Sequence, residues 1–264
     1  MLEIRDSVAV ITGAASGIAR EFAKYWTERG GKAVLADLTE ESLETFKQEL
    51  QQSGADVISR ICDVTLEEDN ERLALDAIDA YGKINLVLPC AGIIKDGLFL
   101  SPDKETGKVK KKMSLLDFQQ VVDINLNGVF LTVRECAEQM VNSGSRGLIC
   151  LVSSTSSQGT AGQINYSSTK AAMATMPRVI TAEFFRKGLA ERLRCVAVAP
   201  GYVGTEMVRN MNQNALQGIL EDVPIGRLVE PSEVASFIGE LYRNEALAGE
   251  VFPIHGGLRL GSKG

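Results

Sequence analysis

Two residues one helical turn apart could carry acid–base chemistry in this chain. Tyr166 and Lys170 are separated by three residues, so a helix through them would place both side chains on one face. A free tyrosine has a pKa of about 10, which is too high for proton transfer at neutral pH. A nearby ammonium group favours the phenolate and lowers that pKa. The pair is therefore a candidate general acid and base, and the hydroxyls of Ser153 and Ser154 are candidates to hold a reacting oxygen.

The same spacing also arises by chance, because tyrosine and lysine are both common on helices, so the pair needs support from the elements around it. Apolar runs alternate with amphipathic segments along the whole sequence, and most connections are short. This alternation predicts an α/β fold, a single-domain doubly wound parallel sheet (Rossmann-like) with helices on both faces, over residues 1–264. Strands are predicted at 7–12, 32–36, 56–62, 85–89, 147–153, 193–199 and 250–254, and helices from 18 to the glycines at 30 and 31 and at 40–52, 67–81, 115–142, 163–187 and 232–243.

One segment, 98–113, departs from the alternation. A Glu-Thr-Gly-Lys turn at 105–108 separates two short extended arms, which predicts a hairpin insertion. The basic run 108–112 is typical of a solvated face. The alternatives are a lip over the active site and a contact between subunits.

Composition excludes several classes of function. The chain has 264 residues and a net charge of −6, which argues against nucleic acid or an anionic membrane surface as a partner. Its five cysteines show no paired spacing, which indicates buried thiols in a reducing compartment. We see no signal peptide and no apolar run of membrane-spanning length, so we expect a cytoplasmic protein. No His/Cys/Asp cluster has metal-ligand spacing, and we expect no metal.

A glycine-rich turn directly follows the first predicted strand. Gly13, Gly17 and Ala19 have the spacing G-x-x-x-G-x-A, with a strand before them and a helix after. Backbone N–H groups and the helix N-terminus in such a turn can hold the pyrophosphate of a dinucleotide. Such a turn can also be purely structural, and its place at the first strand–helix junction favours the binding role.

Two aspartates end the second and third predicted strands. Asp37 comes about 20 residues after the glycine-rich turn, where a carboxylate accepts hydrogen bonds from the ribose hydroxyls of NAD. The same carboxylate would repel the extra phosphate of NADP, so we expect a preference for NAD(H). The alternative is a solvated loop aspartate. Asp63 is in a position to hold the adenine amino group.

Together these motifs resemble the short-chain dehydrogenase/reductase superfamily over essentially the whole chain. The resemblance departs from the family pattern in two places. Ala19 replaces a final glycine, and Pro89-Cys90-Ala91-Gly92 replaces Asn-Asn-Ala-Gly, so that an asparagine which ties neighbouring strands is missing. The cofactor-binding residues that the resemblance implies are Gly13, Ser16, Gly17, Ile18, Asp37, Leu38, Asp63, Val64, Ala91, Gly92, Tyr166, Lys170, Pro200, Gly201, Val203 and Thr205.

The resemblance also implies the catalytic set Asn125, Ser154, Tyr166 and Lys170. Tyr166 would exchange a proton with the substrate oxygen, and Lys170 would lower the tyrosine pKa and hold the nicotinamide ribose. Asn125 would hold a water that links Lys170 to solvent. We choose Ser154 because the strand pattern ends in Ser-Ser, although the family's usual spacing to the tyrosine would favour Ser153.

The implied reaction interconverts a ketone and a secondary alcohol with NAD. The nearest resemblance is to 3-oxoacyl-thioester reductases; the alternatives are a dehydrogenase of a steroid, sugar or cyclic alcohol, and a non-catalytic dinucleotide-binding sensor. Family members are usually tetramers or dimers, so we expect a homo-oligomer, with a homotetramer first. The segment 202–219, with Met207 and Met211, would form a substrate lid or pack simply as helix. The lone His255 is expected to be structural or to lie at a subunit contact.

Overall fold

The computed structural model of this protein describes residues 1–210 and 213–258, apart from the side chains at 207, 213–215 and 219. Strands and helices alternate along the described chain, with bounds close to those predicted. The strands are β1 (Val8–Thr12), β2 (Lys32–Asp37), β3 (Val57–Ile61), β4 (Leu86–Pro89), β5 (Leu100–Pro102), β6 (Val109–Lys112), β7 (Gly147–Val152), β8 (Leu193–Pro200) and β9 (Val251–Ile254). The helices are α1 (Gly17–Thr27), α2 (Glu40–Gln52), α3 (Glu67–Tyr81), α4 (Leu115–Val122), α5 (Val129–Asn142), α6 (Ile164–Arg186), α7 (Glu206–Arg209), α8 (Gln213–Glu221) and α9 (Pro231–Arg243).

Seven strands form one sheet in the order β3-β2-β1-β4-β7-β8-β9, and every described pairing in it is parallel. The order reverses between β1 and β4, because the chain builds the sheet outward first on one side and then on the other. A crevice opens at the carboxyl ends of the strands at such a reversal, and ligands of open α/β sheets bind there. The predicted doubly wound parallel sheet is confirmed.

Five strands of the sheet are buried on both faces along all or most of their length: β1, β2, β4, β7 and β8. This explains why they appear in the sequence as continuous apolar runs. Ile11 and Leu35 pack on one face with Trp26 of α1. Their neighbours Val10 and Val34 pack on the opposite face. Successive side chains of a strand point to opposite faces, so the sheet separates two apolar layers and is held firmly between them.

The segment 115–142 is helical throughout, but it is not a uniform α-helix. A π-helical turn, Asp123–Gly128, joins α4 to α5. Such turns insert an extra residue into the helix and often occur at functional sites. Asn125 lies in this turn and is fully buried.

The segment 98–113 forms a two-stranded antiparallel hairpin, β5–β6, apart from the main sheet. All four residues of β6 are exposed, so its lysines are solvated. None of the helices within the described residues combines the length and apolar character that a bilayer crossing demands.

Candidate active site

A cavity of about 560 Å³ lies at the carboxyl ends of the central strands. It has the position expected of a ligand site in a doubly wound sheet. Thirteen of the sixteen residues predicted to bind a cofactor line it, and they come from six separate stretches of the chain. These are Gly13, Ser16, Gly17, Ile18, Asp37, Leu38, Asp63, Val64, Ala91, Gly92, Tyr166, Lys170 and Thr205.

The glycine-rich turn between β1 and α1 is shaped for close approach of a ligand. Gly13 has a φ of +66°, and a Cβ built on it would lie 2.9 Å from the backbone of Ala91. A side chain at this position would therefore force the turn away from the end of β4. Ser16 precedes α1 without capping it, and the first turn of the helix carries no acidic residue. The N-terminal N–H groups of α1 are thus suited to an anionic group such as a pyrophosphate.

Asp37 connects the turn to the end of β2. Its Oδ2 accepts a hydrogen bond from the N–H of Ala15 at 3.1 Å, and its Oδ1 accepts one from the N–H of Thr39 at 3.2 Å. At the neighbouring strand end, Oδ1 of Asp63 accepts two hydrogen bonds from Thr65. Both carboxylates face the cavity, and among its described lining residues Lys170 is the sole cation.

The tyrosine and the lysine share one face of α6, as their spacing predicts. Both side chains line the cavity, and Nζ of Lys170 lies 5.4 Å from the centre of the Tyr166 ring. Nζ donates a hydrogen bond of 2.7 Å to the carbonyl oxygen of Val152 at the end of β7. The sheet therefore fixes the lysine, and the lysine in turn lies beside the phenol.

Both groups of the pair are shifted toward their neutral forms. Burial raises the pKa of Tyr166 to about 12, and a hydrogen bond from Ser154 opposes that rise. Burial also lowers the pKa of Lys170 to about 8. The expected net lowering of the tyrosine pKa by Lys170 is therefore not found, because burial disfavours the phenolate. Lys170 loses its proton at a lower pH than Tyr166, so it is neutral where the phenol ionises.

The two candidate serines are used differently. The Ser153 hydroxyl is buried and donates a 2.8 Å hydrogen bond to the carbonyl oxygen of Lys170. Oγ of Ser154 accepts a hydrogen bond from the N–H of Ser156 and also acts on the pKa of Tyr166. Ser154 is thus the serine beside the phenol, whereas Ser153 ties the strand end to α6.

Asn125 braces the wall of the cavity. Its Oδ1 accepts a hydrogen bond from the N–H of Ile93, its Nδ2 donates one to the carbonyl oxygen of Ile93, and both distances are 2.8 Å. The stretch that these bonds hold, from Ala91 to Ile93, lines the cavity. In addition, the N–H of Ala91 donates to Oγ1 of Thr12, which links β4 to β1 where the family's strand-tying asparagine is missing.

Some predicted residues lie outside the cavity lining. Pro200 and Gly201 are at the end of β8, where Gly201 packs against His255. Val203 is buried and pairs with Val229 in an isolated bridge. The predicted substrate contacts of Met207 and Met211 lie outside the described residues.

Sequence reasoning missed several apolar residues that line the cavity. Six of them lie at or just after the end of a strand, so their places at the strand ends were the available signal, whereas Ile124 lies in the π-helical turn. They are Ala36, Cys62, Cys90, Ile93, Ile94, Ile124 and Val152.

Comparison with known proteins agrees with this geometry. The 3-oxoacyl-[acyl-carrier-protein] reductase of Thermotoga maritima is 28% identical to this chain, over 97% of this chain and 99% of that protein. The 3-hydroxyacyl-CoA dehydrogenase type-2 of Drosophila melanogaster is 32% identical, over 97% of this chain and 99% of that one. A crystal structure of a short-chain dehydrogenase/reductase (glucose/ribitol dehydrogenase) from Brucella melitensis superimposes with a TM-score of 0.85 at 27% identity, covering 98% of this chain and 99% of that one. A family model described as short chain dehydrogenase matches residues 7–216, and the chain therefore belongs to the short-chain dehydrogenase/reductase family of oxidoreductases.

Proposed function

We propose that this protein is an NAD(H)-dependent oxidoreductase that interconverts a ketone and a secondary alcohol, with Tyr166 as the general acid and base. The observation that carries the proposal is the shared cavity of Tyr166, Lys170, the glycine-rich turn and Asp37. A proton donor and a turn that can bind a dinucleotide line the same cavity, and this combination suits hydride transfer coupled to proton transfer.

The residues of the pair have separable roles. Tyr166 donates its proton to the developing alkoxide in reduction, and a phenol with a pKa of about 12 is still far more acidic than an aliphatic alcohol. Ser154 orients the carbonyl oxygen toward that proton. Lys170, fixed by the Val152 carbonyl, stabilises the phenolate that remains. A nicotinamide dinucleotide, when bound, supplies the hydride.

The cofactor preference follows from the charges at the cavity. Gly13, Ser16, Gly17 and Ile18 would hold the pyrophosphate, and Asp37 with Leu38 would hold the adenosine ribose. Asp63 and Val64 would hold the adenine, Ala91 and Gly92 would approach the nicotinamide ribose, and Pro200, Gly201, Val203 and Thr205 would meet the carboxamide. Catalytic efficiency with NADH should exceed that with NADPH, and a clear preference for NADPH would refute this assignment.

Asn125 takes a positioning role in this proposal. Its amide is engaged by Ile93, so it holds the wall against which the cofactor would lie. The water relay from Lys170 to solvent stays a prediction.

The substrate class rests on the relatives. Several of them are named as 3-oxoacyl-thioester reductases or 3-hydroxyacyl-CoA dehydrogenases, which favours a 3-oxoacyl thioester for this chain. Another relative is named as a dehydrogenase of a chlorinated cyclohexadienediol, so a cyclic or other secondary alcohol is the second candidate. A non-catalytic sensor is the third, and the pairing of Tyr166 with Lys170 argues against it.

The decisive experiment is Tyr166→Phe, tested with a panel of ketones and acyl thioesters. Loss of the phenolic hydroxyl should reduce kcat by about a hundredfold or more, while the affinity for NADH stays close to that of the wild type. Tyr81→Phe is the matched control. The Tyr81 hydroxyl donates a hydrogen bond to Asp56, which lies just before β3, and neither residue lines the cavity. Substantial residual turnover by Tyr166→Phe would show that another group moves the proton.

We also propose a homo-oligomer. A groove of about 400 Å³ between α5 and α6 is lined mainly by apolar side chains, and Phe130 and Val179 on it are about half exposed. A second copy of the chain would cover this face. Light scattering during size-exclusion chromatography measures the mass of the assembly, and a monomer would contradict the proposal. A cytoplasmic location stays a prediction.

A further inference from the structure

We infer that Asp96, Gln163 and Thr160 form a polar subsite beside Tyr166, which selects substrates that carry a hydrogen-bond donor near the reacting carbonyl. The inference deepens the proposed function and rests on it. None of its three residues is among those that line the cavity of the glycine-rich turn.

Hydrogen bonds join the loop that follows β4 to the start of α6 and the residues just before it. The N–H of Gly97 donates to the carbonyl oxygen of Gly162, and Nδ2 of Asn165 donates to the carbonyl oxygen of Lys95, both at 2.8 Å. The loop that follows β4 is therefore fixed against the start of α6, which carries Tyr166. Any side chain in this joint has a defined position relative to the phenol.

Gln163 and Asp96 face each other across this joint. Nε2 of Gln163 donates to both carboxylate oxygens of Asp96, at 3.1 Å each. An ionised carboxylate only accepts hydrogen bonds, so it fixes the orientation of the amide and turns Oε1 of Gln163 away. The Asp96 side chain is exposed, so its remaining lone pairs are open to a ligand.

Two buried side-chain oxygen atoms in the described part of the chain have no hydrogen-bond partner, and both lie just before or at the start of α6. They are Oε1 of Gln163 and Oγ1 of Thr160. Buried polar atoms are almost always paired, because leaving one unpaired costs free energy. Their location three and six residues before Tyr166 indicates that a ligand completes them.

The charge of Asp96 reaches the catalytic group. Burial is the main cause of the raised pKa of Tyr166, and the Asp96 carboxylate adds to it. The same carboxylate contributes to the raised pKa of Tyr202, after burial and Asp222. Asp96 therefore lies within electrostatic reach of both Tyr166 and Tyr202.

The chemistry of the subsite defines what it binds. Asp96 and Gln163 present acceptors, and the Thr160 hydroxyl can act as either partner. A matching substrate brings an O–H or N–H group, whereas an anionic group there would be repelled. Two sources fit: a hydroxyl next to the ketone, and the amide N–H of a thioester arm.

The test uses ketone pairs that differ only in a donor. 2-Hydroxycyclohexanone is compared with cyclohexanone, and the acetoacetyl thioester of N-acetylcysteamine with S-ethyl acetothioacetate. The wild type should prefer the donor-bearing member of at least one pair, and the preferred pair identifies the source. In Asp96→Asn the ratio of kcat/KM for that member to kcat/KM for its plain partner should fall by about tenfold to a hundredfold, and this ratio cancels any effect of the lost charge on Tyr166 itself. Glu105→Gln, which removes a charge on the exposed hairpin, is the control and should behave as the wild type.

Three outcomes have different meanings. Equal activity of the wild type within both pairs, or an unchanged preference in Asp96→Asn, overturns the subsite while leaving the proposed reaction intact. No turnover of any ketone by the wild type overturns the proposed function and the subsite with it. If Asp96→Asn does not fold, as judged by thermal unfolding, Gln163→Met is measured in the same way, and retention of the preference there overturns the inference.

Discussion

Replacing Asn125 with alanine should show how far the stability of the protein and the shape of the cavity depend on one buried amide. The change removes two 2.8 Å hydrogen bonds that hold both main-chain polar groups of Ile93. A hydrogen bond contributes about 1 kcal/mol net, and a partner left unpaired in a buried place costs more. Since Ile93 is only half-buried, water can recover part of the loss. We therefore expect the free energy of unfolding to fall by about 2 to 3 kcal/mol.

The assay combines thermal unfolding with an NADH titration. For a chain of this size a loss of 2 to 3 kcal/mol corresponds to a fall in Tm of about 4 to 12 °C. Affinity for NADH should fall as well, because the freed stretch from Ala91 to Ile93 lines the cavity.

Asn127→Ala is the matched control. Asn127 lies in the same π-helical turn, is exposed, and donates only to Asp123 on the surface. It should change Tm by no more than about 1 to 2 °C, as surface substitutions usually do. Equal shifts in Asn125→Ala and Asn127→Ala would refute the bracing role, because they would show that the helix and not the Ile93 contact sets the loss.

Three further substitutions test the glycine-rich turn, the buried Arg194 and the pKa of Lys170. Gly13→Ala should abolish NADH binding while the protein still folds, since the new Cβ would lie 2.9 Å from the backbone of Ala91; calorimetric titration measures this, and normal affinity would contradict it. Arg194→Met should lower the free energy of unfolding by about 3 kcal/mol or more, because the guanidinium donates to four main-chain carbonyls within 241–247; urea unfolding measures it, and an unchanged midpoint would contradict it. Raising the pH from 8 to 10 should stabilise the wild type relative to Lys170→Met, since burial lowers the pKa of Lys170 from 10.5 to about 8 in the folded protein. Between those values the unfolded chain binds more protons, so stability rises with pH, and parallel stability curves for the two proteins would contradict the burial of a charged amine.

The architecture could be predicted because it depends on local pattern. A strand buried on both faces has to be apolar at every position, so runs such as 8–12 and 193–200 are visible without any knowledge of their neighbours. The spacing of Tyr166 and Lys170 places them on one helical face for the same reason. Residues at the carboxyl ends of parallel strands converge on one edge, which is why Asp37 and Asp63 line a common cavity.

Features that depend on packing could not be predicted in this way. The π-helical turn around Asn125 has no signature in the apolar spacing of 115–142, because one extra residue shifts the pattern only slightly. The bond between Gln163 and Asp96 joins positions 67 residues apart, and no local rule pairs them. The two serines are adjacent and identical in type, and the strand pattern favours Ser154 while the family spacing favours Ser153. The packing of the neighbouring helix decides between them.

The direction of the tyrosine pKa shift follows from a competition that sequence does not resolve. An ammonium group near the phenol would favour the phenolate, whereas burial disfavours it and raises the pKa of Tyr166 to about 12. Burial also brings the amine toward neutrality, so the unliganded cleft does not hold a preformed phenolate–ammonium pair. If Tyr166 gives up its proton to a substrate oxygen, the resulting anion lies beside the amine and raises its proton affinity. Activation of Tyr166 is then a property of the reacting complex, in which proton loss by the phenol and charge on Lys170 support each other.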